Sequence, residues 1–238
     1  MKTAIILAAG IGSRLAPLTK DIPKCCIEVC GKSIIRRITD QLLICDPNME
    51  IIVVAGYKSD VVRNEMRNYP RNIIVIENKE YLTTNNMESC RIGIGIRKTA
   101  TKGCLIINGD CVYSQNIIRK MYEFEKSCIA TDSSRYNEEN MKILVSDDEA
   151  IAISKSITEA QGGITAIDMY NFSAEDLKIL HSIMENYSAS GDRNKWTEVA
   201  INDLLCLEQT RISSVDIAGE KWMEIDNHDD LETARNLW

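Results

Sequence analysis

The amino-terminal segment contains a glycine-rich turn with basic residues on its carboxyl side. An apolar run leads into Gly10, Gly12 and Ser13, Arg14 comes next, and Lys24 follows ten residues later. Glycines permit close backbone approach, and their N–H groups can surround phosphate oxygens. Arginine adds a bidentate phosphate donor, and lysine adds a flexible point charge. These residue types at this spacing indicate a site for a phosphorylated ligand.

Two other glycine motifs fit this turn poorly. A Walker A loop places a lysine directly after its last glycine, and none stands at that spacing here. A dinucleotide fingerprint needs a third glycine where this chain has Leu15, and an acid where the second predicted strand ends in Ala55-Gly56. A turn that merely connects a strand to a helix remains an alternative, although it does not explain Arg14 and Lys24.

Two acids are candidates for binding a divalent cation. Asp110 ends an apolar predicted strand, and Asp226 lies in the extended segment Glu224-Ile225-Asp226, whose outer acids share one side. Mg²⁺ takes oxygen ligands, commonly one or two carboxylates together with substrate phosphates. The alternative for Asp226 is a helix cap, a role for which Asn227 competes.

Strands and helices alternate in the first half of the chain. The predicted strands are 3–9, 50–56, 72–76 and 104–110, and the predicted helices are 33–46, 59–68 and 86–98. This alternation predicts an α/β fold with a mostly parallel central sheet, helices on both faces and right-handed crossovers. Ligands bind at the carboxyl ends of the strands in such sheets, which is where the glycine turn lies.

The second half of the chain has a more mixed pattern. Its predicted strands lie near 127–131, 142–145, 151–156, 164–170 and 211–216, and its predicted helices are 116–126, 174–186, 195–207 and 229–237. We therefore predict a strand-rich insertion in a Rossmann-like fold. No repeat or Pro-rich linker interrupts residues 1–238, so we expect a single domain. The change of pattern falls at about residue 115.

Composition argues against several classes of protein. The net charge of −7 argues against general nucleic-acid binding, which depends on Lys and Arg at phosphates. The apolar run 3–9 is short and is soon followed by Arg14 and Lys20, which argues against a signal peptide, and no run is long enough for membrane insertion. Nine cysteines without zinc-type spacing are typical of reduced thiols. We expect a cytoplasmic protein, with homo-oligomers left open.

Several stretches together resemble a known family. Leu7-Ala8-Ala9-Gly10-Ile11-Gly12-Ser13-Arg14-Leu15, Pro17-Leu18-Thr19 and Pro23-Lys24 resemble the signature of nucleotidyltransferases, which join an NTP to a small phosphorylated substrate. Within that superfamily, the chain most resembles the small bacterial CTP:phosphocholine cytidylyltransferases. Supporting stretches are Asn85-Asn86-Met87-Glu88-Ser89, Asn108-Gly109-Asp110 and Trp222-Met223-Glu224-Ile225-Asp226.

The resemblance implies a Mg²⁺-dependent attack of an acceptor phosphate on the α-phosphorus of CTP or another NTP. Lys24 would bridge the two reacting phosphates, Arg14 would hold the β- and γ-phosphates, and Asp110 and Asp226 would hold the metal. Positioning and charge neutralisation dominate such reactions. The implied nucleotide-binding residues are Leu7, Ala8, Ala9, Gly10, Ile11, Gly12, Ser13, Arg14, Gly56, Tyr57, Asn85, Asn86 and Asp110. Either asparagine could instead cap the next helix.

The resemblance implies that the nucleotide-binding half extends to about residue 115 and that the acceptor half covers about 116–238. The acceptor site is less well defined, because the second half resembles the family less closely. Aromatic cages hold quaternary ammonium groups such as that of choline. Met141 stands where the family has Trp, whereas Trp196 and Glu198 resemble its late aromatic–acid pair. Glu88 and Glu198 could instead receive a primary amine, as in 2-aminoethylphosphonate. The predicted acceptor-binding residues are Lys24, Glu88, Met141, Trp196 and Glu198.

The sequence leaves two alternative functions open. One is a sugar-1-phosphate nucleotidyltransferase, although such enzymes usually carry more sequence for a sugar pocket. The other is a nucleotide-binding regulatory module without catalysis. The joint presence of Arg14, Lys24, Asp110 and Asp226 argues against the second alternative, because binding alone would not need all four.

Overall fold

The computed structural model describes residues 2–97 and 102–238, which form thirteen strands and seven helices. The strands are β1 (Thr3–Ala8), β2 (Glu28–Val29), β3 (Lys32–Ser33), β4 (Glu50–Ala55), β5 (Ile73–Glu77), β6 (Gly103–Asn108), β7 (Cys111–Tyr113), β8 (Cys128–Asp132), β9 (Lys142–Ser146), β10 (Glu149–Ser154), β11 (Ile164–Ser173), β12 (Ser213–Asp216) and β13 (Trp222–Glu224). The helices are α1 (Ile34–Cys45), α2 (Ser59–Met66), α3 (Asn86–Ile96), α4 (Gln115–Glu123), α5 (Ala174–Ala189), α6 (Thr197–Leu205) and α7 (His228–Leu237).

One nine-stranded sheet draws strands from both halves of the chain. Its order is β5-β4-β1-β6-β11-β8-β12-β10-β9. The first four strands are parallel, and Ile6 of β1 pairs with Val53 of β4 and Ile107 of β6. Strand β11 runs antiparallel to β6 and β8, whereas β8 and β12 are parallel. The predicted α/β class is confirmed, and the parallel pairing is concentrated in the first half.

Helices cover both faces of this sheet. Every residue of β1 and β4 is buried, as is typical of a parallel strand enclosed on two sides. Alternate residues of β1 enter different cores: Ile6 packs in the cluster that includes α1 and α4, and Ile5 packs in the cluster that includes α3, α5 and α6. The two cores hold the carboxyl ends of the central strands in a fixed arrangement.

The predicted elements are found with small changes at their ends. Helix α3 ends at Ile96, and residue 98 of the predicted helix lies outside the described residues. Position 93, within α3, favours glycine because a Cβ there would lie 2.7 Å from Ile5 Cγ2. Ser173 caps α5 as predicted, accepting a hydrogen bond from Asp176 N. Strands β7 and β13 were not predicted, because three residues are too few for a periodic pattern.

Most of the cysteines lie in the interior of the protein. All nine cysteines are free thiols, and six of them are buried. Among the residues that the structure describes, no helix is both long and apolar enough to cross a membrane.

Candidate active site

A cavity of about 410 Å³ opens where β1 and β6 end, and both halves of the chain contribute to its walls. Most of the predicted site residues meet there. Those that line it are Leu7, Ala9, Gly10, Gly12, Ser13, Arg14, Lys24, Asn85, Asn86, Asp110, Met141, Trp196, Glu198 and Asp226. The residues of the predicted nucleotide and acceptor sites therefore share one cavity.

The two glycines of the turn have different structural roles. Gly12 adopts a left-handed conformation with φ of 71°, and a Cβ there would lie 2.8 Å from Lys24 Cβ. Thr19 Oγ1 donates to Gly12 O at 2.9 Å and fixes the turn. A Cβ on Gly10 would have no neighbouring heavy atom within 4 Å. Gly12 thus makes room for the stem of Lys24, and Gly10 leaves open space inside the cavity.

Lys24 lies between two carboxylates. Its Nζ is 2.8 Å from Asp110 Oδ2 and 2.6 Å from Asp226 Oδ1. Arg14 Nη2 also reaches Asp226 Oδ1 at 2.8 Å. Burial by itself lowers the pKa of Lys24, but the carboxylates of Asp110 and Asp226 outweigh it, so the pKa is raised and the ammonium stays charged. The predicted pair of basic residues therefore converges on the predicted pair of acids.

Strand β13 positions the second of these acids. Ile225 N donates to Asp110 O at 3.0 Å, and the Ile225 side chain is fully buried in the core. Alternation along the extended chain then directs Glu224 and Asp226 to the cavity. Asn227 caps α7, so the capping alternative for Asp226 is wrong. The predicted shared side of the two outer acids is confirmed.

Three carboxylates form a cluster suited to a divalent cation. Carboxylate oxygens of Asp110, Glu224 and Asp226 lie within 4.8 Å of one another. Asn108 lines the same cavity, and its Oδ1 is buried and without a hydrogen-bond partner among the described residues. The donors are all oxygens, as Mg²⁺ prefers. The residues present therefore fit a magnesium ion.

Three further acids that line the cavity, Glu139, Asp168 and Glu224, are not among the predicted site residues. Burial, reinforced by Asp110 and Asp226, raises the pKa of Glu224 to about 8. Asp168 lies inside β11 with a left-handed φ of 57°, and burial raises its pKa well above the usual range. An acid within an apolar strand was the available signal for Asp168. Neighbouring carboxylates thus add to the raised pKa of both Asp168 and Glu224.

The predicted asparagines have separate roles. Asn85 Oδ1 accepts a hydrogen bond from Asn86 N at 2.9 Å and caps α3, so the capping hypothesis is confirmed for Asn85. Asn86 Oδ1 accepts from Thr197 N at 2.8 Å and ties α3 to the start of α6. Both residues also line the cavity. The hydrogen bond between Thr197 and Asn86 therefore joins two elements that surround the cavity.

Five predicted residues are not among those that line the cavity: Ala8, Ile11, Gly56, Tyr57 and Glu88. Tyr57 N donates to Ala9 O at 3.1 Å, and Tyr57 Oη donates to Lys20 O at 2.6 Å. The ring of Tyr81, which does line the cavity, lies 6.4 Å from that of Tyr57. Gly56 allows this close packing, since a Cβ there would lie 2.7 Å from Ala9 O. Tyr57 therefore packs beside Tyr81 and does not itself line the cavity.

Glu88 requires a correction. Its side chain is only 3% exposed, and Arg91 contacts both of its carboxylate oxygens, at 2.8 and 3.0 Å. Arg193 adds a third contact at 2.8 Å. The hydrogen bond from Arg91, with support from Arg193, lowers the pKa of Glu88 to about 2. Glu88 thus joins α3 to the segment before α6 and has no free oxygen for an amine of the acceptor.

We expect Glu88→Gln to lower the free energy of unfolding by about 3 kcal/mol at neutral pH, the scale for breaking a buried ion pair. The folded pKa lies below the unfolded one, so this stabilisation is present above about pH 4.5 and is lost as pH falls toward 2. Urea unfolding at several pH values measures the effect. Glu185→Gln is the matched control, because Glu185 pairs with Arg91 at the surface. Equal losses of unfolding free energy in Glu88→Gln and Glu185→Gln would contradict the assignment of Glu88 to a buried ion pair.

Comparison with known proteins agrees with this geometry. The family model described as nucleotidyl transferase matches residues 3–140. The CTP:phosphoglutamine cytidylyltransferase of Campylobacter jejuni is 40% identical over 55% of this chain, and the match spans only 53% of that enzyme. The 2-aminoethylphosphonate cytidylyltransferase of Lancefieldella rimae is 30% identical over 86% of this chain and 81% of its own length.

A solved structure shares the whole fold. The CTP:phosphocholine cytidylyltransferase of Streptococcus pneumoniae superimposes with a TM-score of 0.80 at 20% identity, over 99% of this chain and 98% of that one. The matched family region contains the glycine turn, Lys24 and Asp110. With these residues assembled in one cavity, the chain belongs to the nucleotidyl transferase family.

Proposed function

We propose that this chain transfers CMP from CTP to a small phosphate or phosphonate acceptor and releases pyrophosphate. The observation that carries the proposal is the position of Lys24, buried between Asp110 and Asp226 beside an open glycine turn. Relatives named as cytidylyltransferases support CTP as the nucleotide. Phosphoglutamine, 2-aminoethylphosphonate and phosphocholine are the acceptors that the names of the compared proteins give.

The proposed reaction is one displacement at phosphorus. An acceptor oxygen forms a bond to the α-phosphorus, and the bond from that phosphorus to the bridging oxygen of pyrophosphate breaks. Lys24 holds the two anionic reactants together and neutralises the charge that develops between them. Arg14, whose side chain is 63% exposed, binds the departing pyrophosphate with amides of the turn. The protein contributes position and charge to this reaction.

We also propose that Asp110 and Asp226 hold Mg²⁺, with Glu224 beside them. The cluster of oxygen donors described above supports this assignment. When bound, the ion neutralises charge on the phosphate oxygens. Nine free thiols support a cytoplasmic location, where thiols remain reduced.

A pyrophosphate-release assay tests the proposal. Each of the four NTPs is crossed with phosphocholine, 2-aminoethylphosphonate and several sugar-1-phosphates in the presence of Mg²⁺. We expect release with CTP and a phosphate or phosphonate acceptor. Turnover confined to sugar-1-phosphates would support the sugar nucleotidyltransferase alternative. Nucleotide binding without turnover of any pair would support the regulatory module.

Gly10→Ala is expected to raise the KM for CTP by at least about 10-fold, because small displacements of bound reactants are costly. The added methyl group would enter open space within the turn that is proposed to hold the triphosphate. The midpoint of thermal unfolding should change little, since the methyl group meets no neighbour. Steady-state kinetics with a thermal unfolding control measures both effects. An unchanged KM would show that the triphosphate lies elsewhere.

A further inference from the structure

The acceptor side of the cavity contains a lysine that is not among the predicted site residues. Lys155 directly follows β10 and lines the cavity together with Trp196 and Glu198. Its Nζ lies 5.0 Å from the centroid of the Trp196 ring. An ammonium at this distance is attracted to the face of the indole. The aromatic surface predicted to receive choline therefore already contacts a cation of the protein.

Lys155 retains the capacity to bind an anion. Its side chain is exposed, and it makes no ion pair with a carboxylate of residues 2–97 or 102–238. Lys24, by contrast, is engaged by both Asp110 and Asp226. A lysine ammonium has three N–H donors, and contact with a ring face leaves them available to a carboxylate. The acceptor side of the cavity thus offers a lysine ammonium that forms no ion pair within the described part of the chain.

Glu198 offers the opposite charge in the same region. Its residue is 3% exposed, and Oε1 accepts a hydrogen bond from Tyr170 Oη at 2.6 Å. Burial raises the pKa of Glu198, and the charge of Lys155 acts in the opposite direction. An ammonium group on a ligand would likewise favour the ionised carboxylate. A lysine ammonium and a carboxylate in one region can bind the carboxylate and the ammonium of a zwitterionic group on the acceptor.

We propose that Lys155 selects acceptors that carry a carboxylate at the end remote from the phosphorus, such as phosphorylated or phosphono amino acids. Glu198 would receive the ammonium of the same head group. This inference rests on the proposed function, because the phosphate or phosphonate of the acceptor has to reach Lys24. Phosphocholine is a poor acceptor on this account, since its cation would meet Lys155 at the same ring and repel it.

Matched acceptors test the role of Lys155. O-Phosphoserine differs from phosphoethanolamine by one carboxylate, and 2-amino-4-phosphonobutyrate differs from 3-aminopropylphosphonate in the same way. With CTP and Mg²⁺, we expect the carboxylated member of at least one pair to have a kcat/KM at least about 10-fold higher. Lys155→Met should abolish this preference by raising the KM for the carboxylated acceptor. The other member should change by less than about 2-fold.

Lys178→Met is the control variant, because Lys178 is an exposed residue of α5 that does not line the cavity. It should leave the preference intact. Equal turnover of both members in each pair, or an equal effect of Lys155→Met on both, would overturn the inference while leaving CMP transfer in place. Turnover of phosphocholine in preference to the carboxylated acceptors would also overturn the inference and leave CMP transfer in place. Absence of turnover with every acceptor and NTP would overturn the proposed function together with the inference.

Discussion

Lys24→Ala is expected to lower kcat/KM for CTP and acceptor by at least about 10²-fold, the scale for loss of a group that stabilises charge in a transition state. The ammonium is buried between Asp110 and Asp226 and stays charged. Its removal leaves negative charge beside two anionic reactants with no lysine between them. The loss should be mainly in kcat, because the charge on the reacting phosphates is greatest as the new bond forms.

Lys20→Ala controls for a general effect on this segment. Lys20 is exposed and does not line the cavity, and its hydrogen bonds to Pro17 and Tyr57 are made by its backbone. Stopped-time assays of pyrophosphate release with both variants measure the difference. We expect Lys20→Ala to retain near-normal kcat/KM. Near-normal activity in Lys24→Ala would remove Lys24 from its assigned role.

Asp110→Asn should also lower kcat/KM by at least about 10²-fold. Asp110 is one of three carboxylates within 4.8 Å of one another and also pairs with Lys24. The amide keeps the shape of the side chain but removes the charge that would attract Mg²⁺. We therefore expect weaker Mg²⁺ binding as well as slower turnover.

Titration calorimetry with Mg²⁺ and kinetics over a range of Mg²⁺ concentrations measure the two effects separately. Asp60→Asn is the control, because Asp60 is exposed in the first turn of α2, away from the residues that line the cavity. Unchanged Mg²⁺ affinity in Asp110→Asn would contradict its role as a metal ligand. An equal loss of Mg²⁺ affinity in Asp60→Asn would show that the effect is not specific to the cluster of three carboxylates.

The nucleotide side of the site could be predicted from the sequence because its residues follow buried strands directly. An apolar run followed by glycines places the turn at the end of β1, and the acid after β6 lies beside it. Asp226 could be predicted from alternation, since Ile225 must enter the core. In these cases a local pattern fixes the direction of the side chain.

The acceptor side could not be predicted in the same way, because its contacts join distant segments. Glu88 is bound by Arg193, and Lys155 meets Trp196, across many intervening residues. Only the ion pair between Glu88 and Arg91 could be predicted from a local rule, because residues three apart on one helix are neighbours. Asp168 was hidden within an apolar strand whose pattern predicts burial rather than a cavity wall.

The central claim is that the α-phosphorus of CTP is transferred to the acceptor. CTP radiolabelled at the α- or the γ-phosphorus, incubated with the enzyme, Mg²⁺ and the best acceptor, tests it directly. We predict that the α-label appears in a product that also contains the acceptor, and that the γ-label appears in pyrophosphate. A γ-label on the acceptor, or an α-label released only as free CMP, would contradict the proposed transfer.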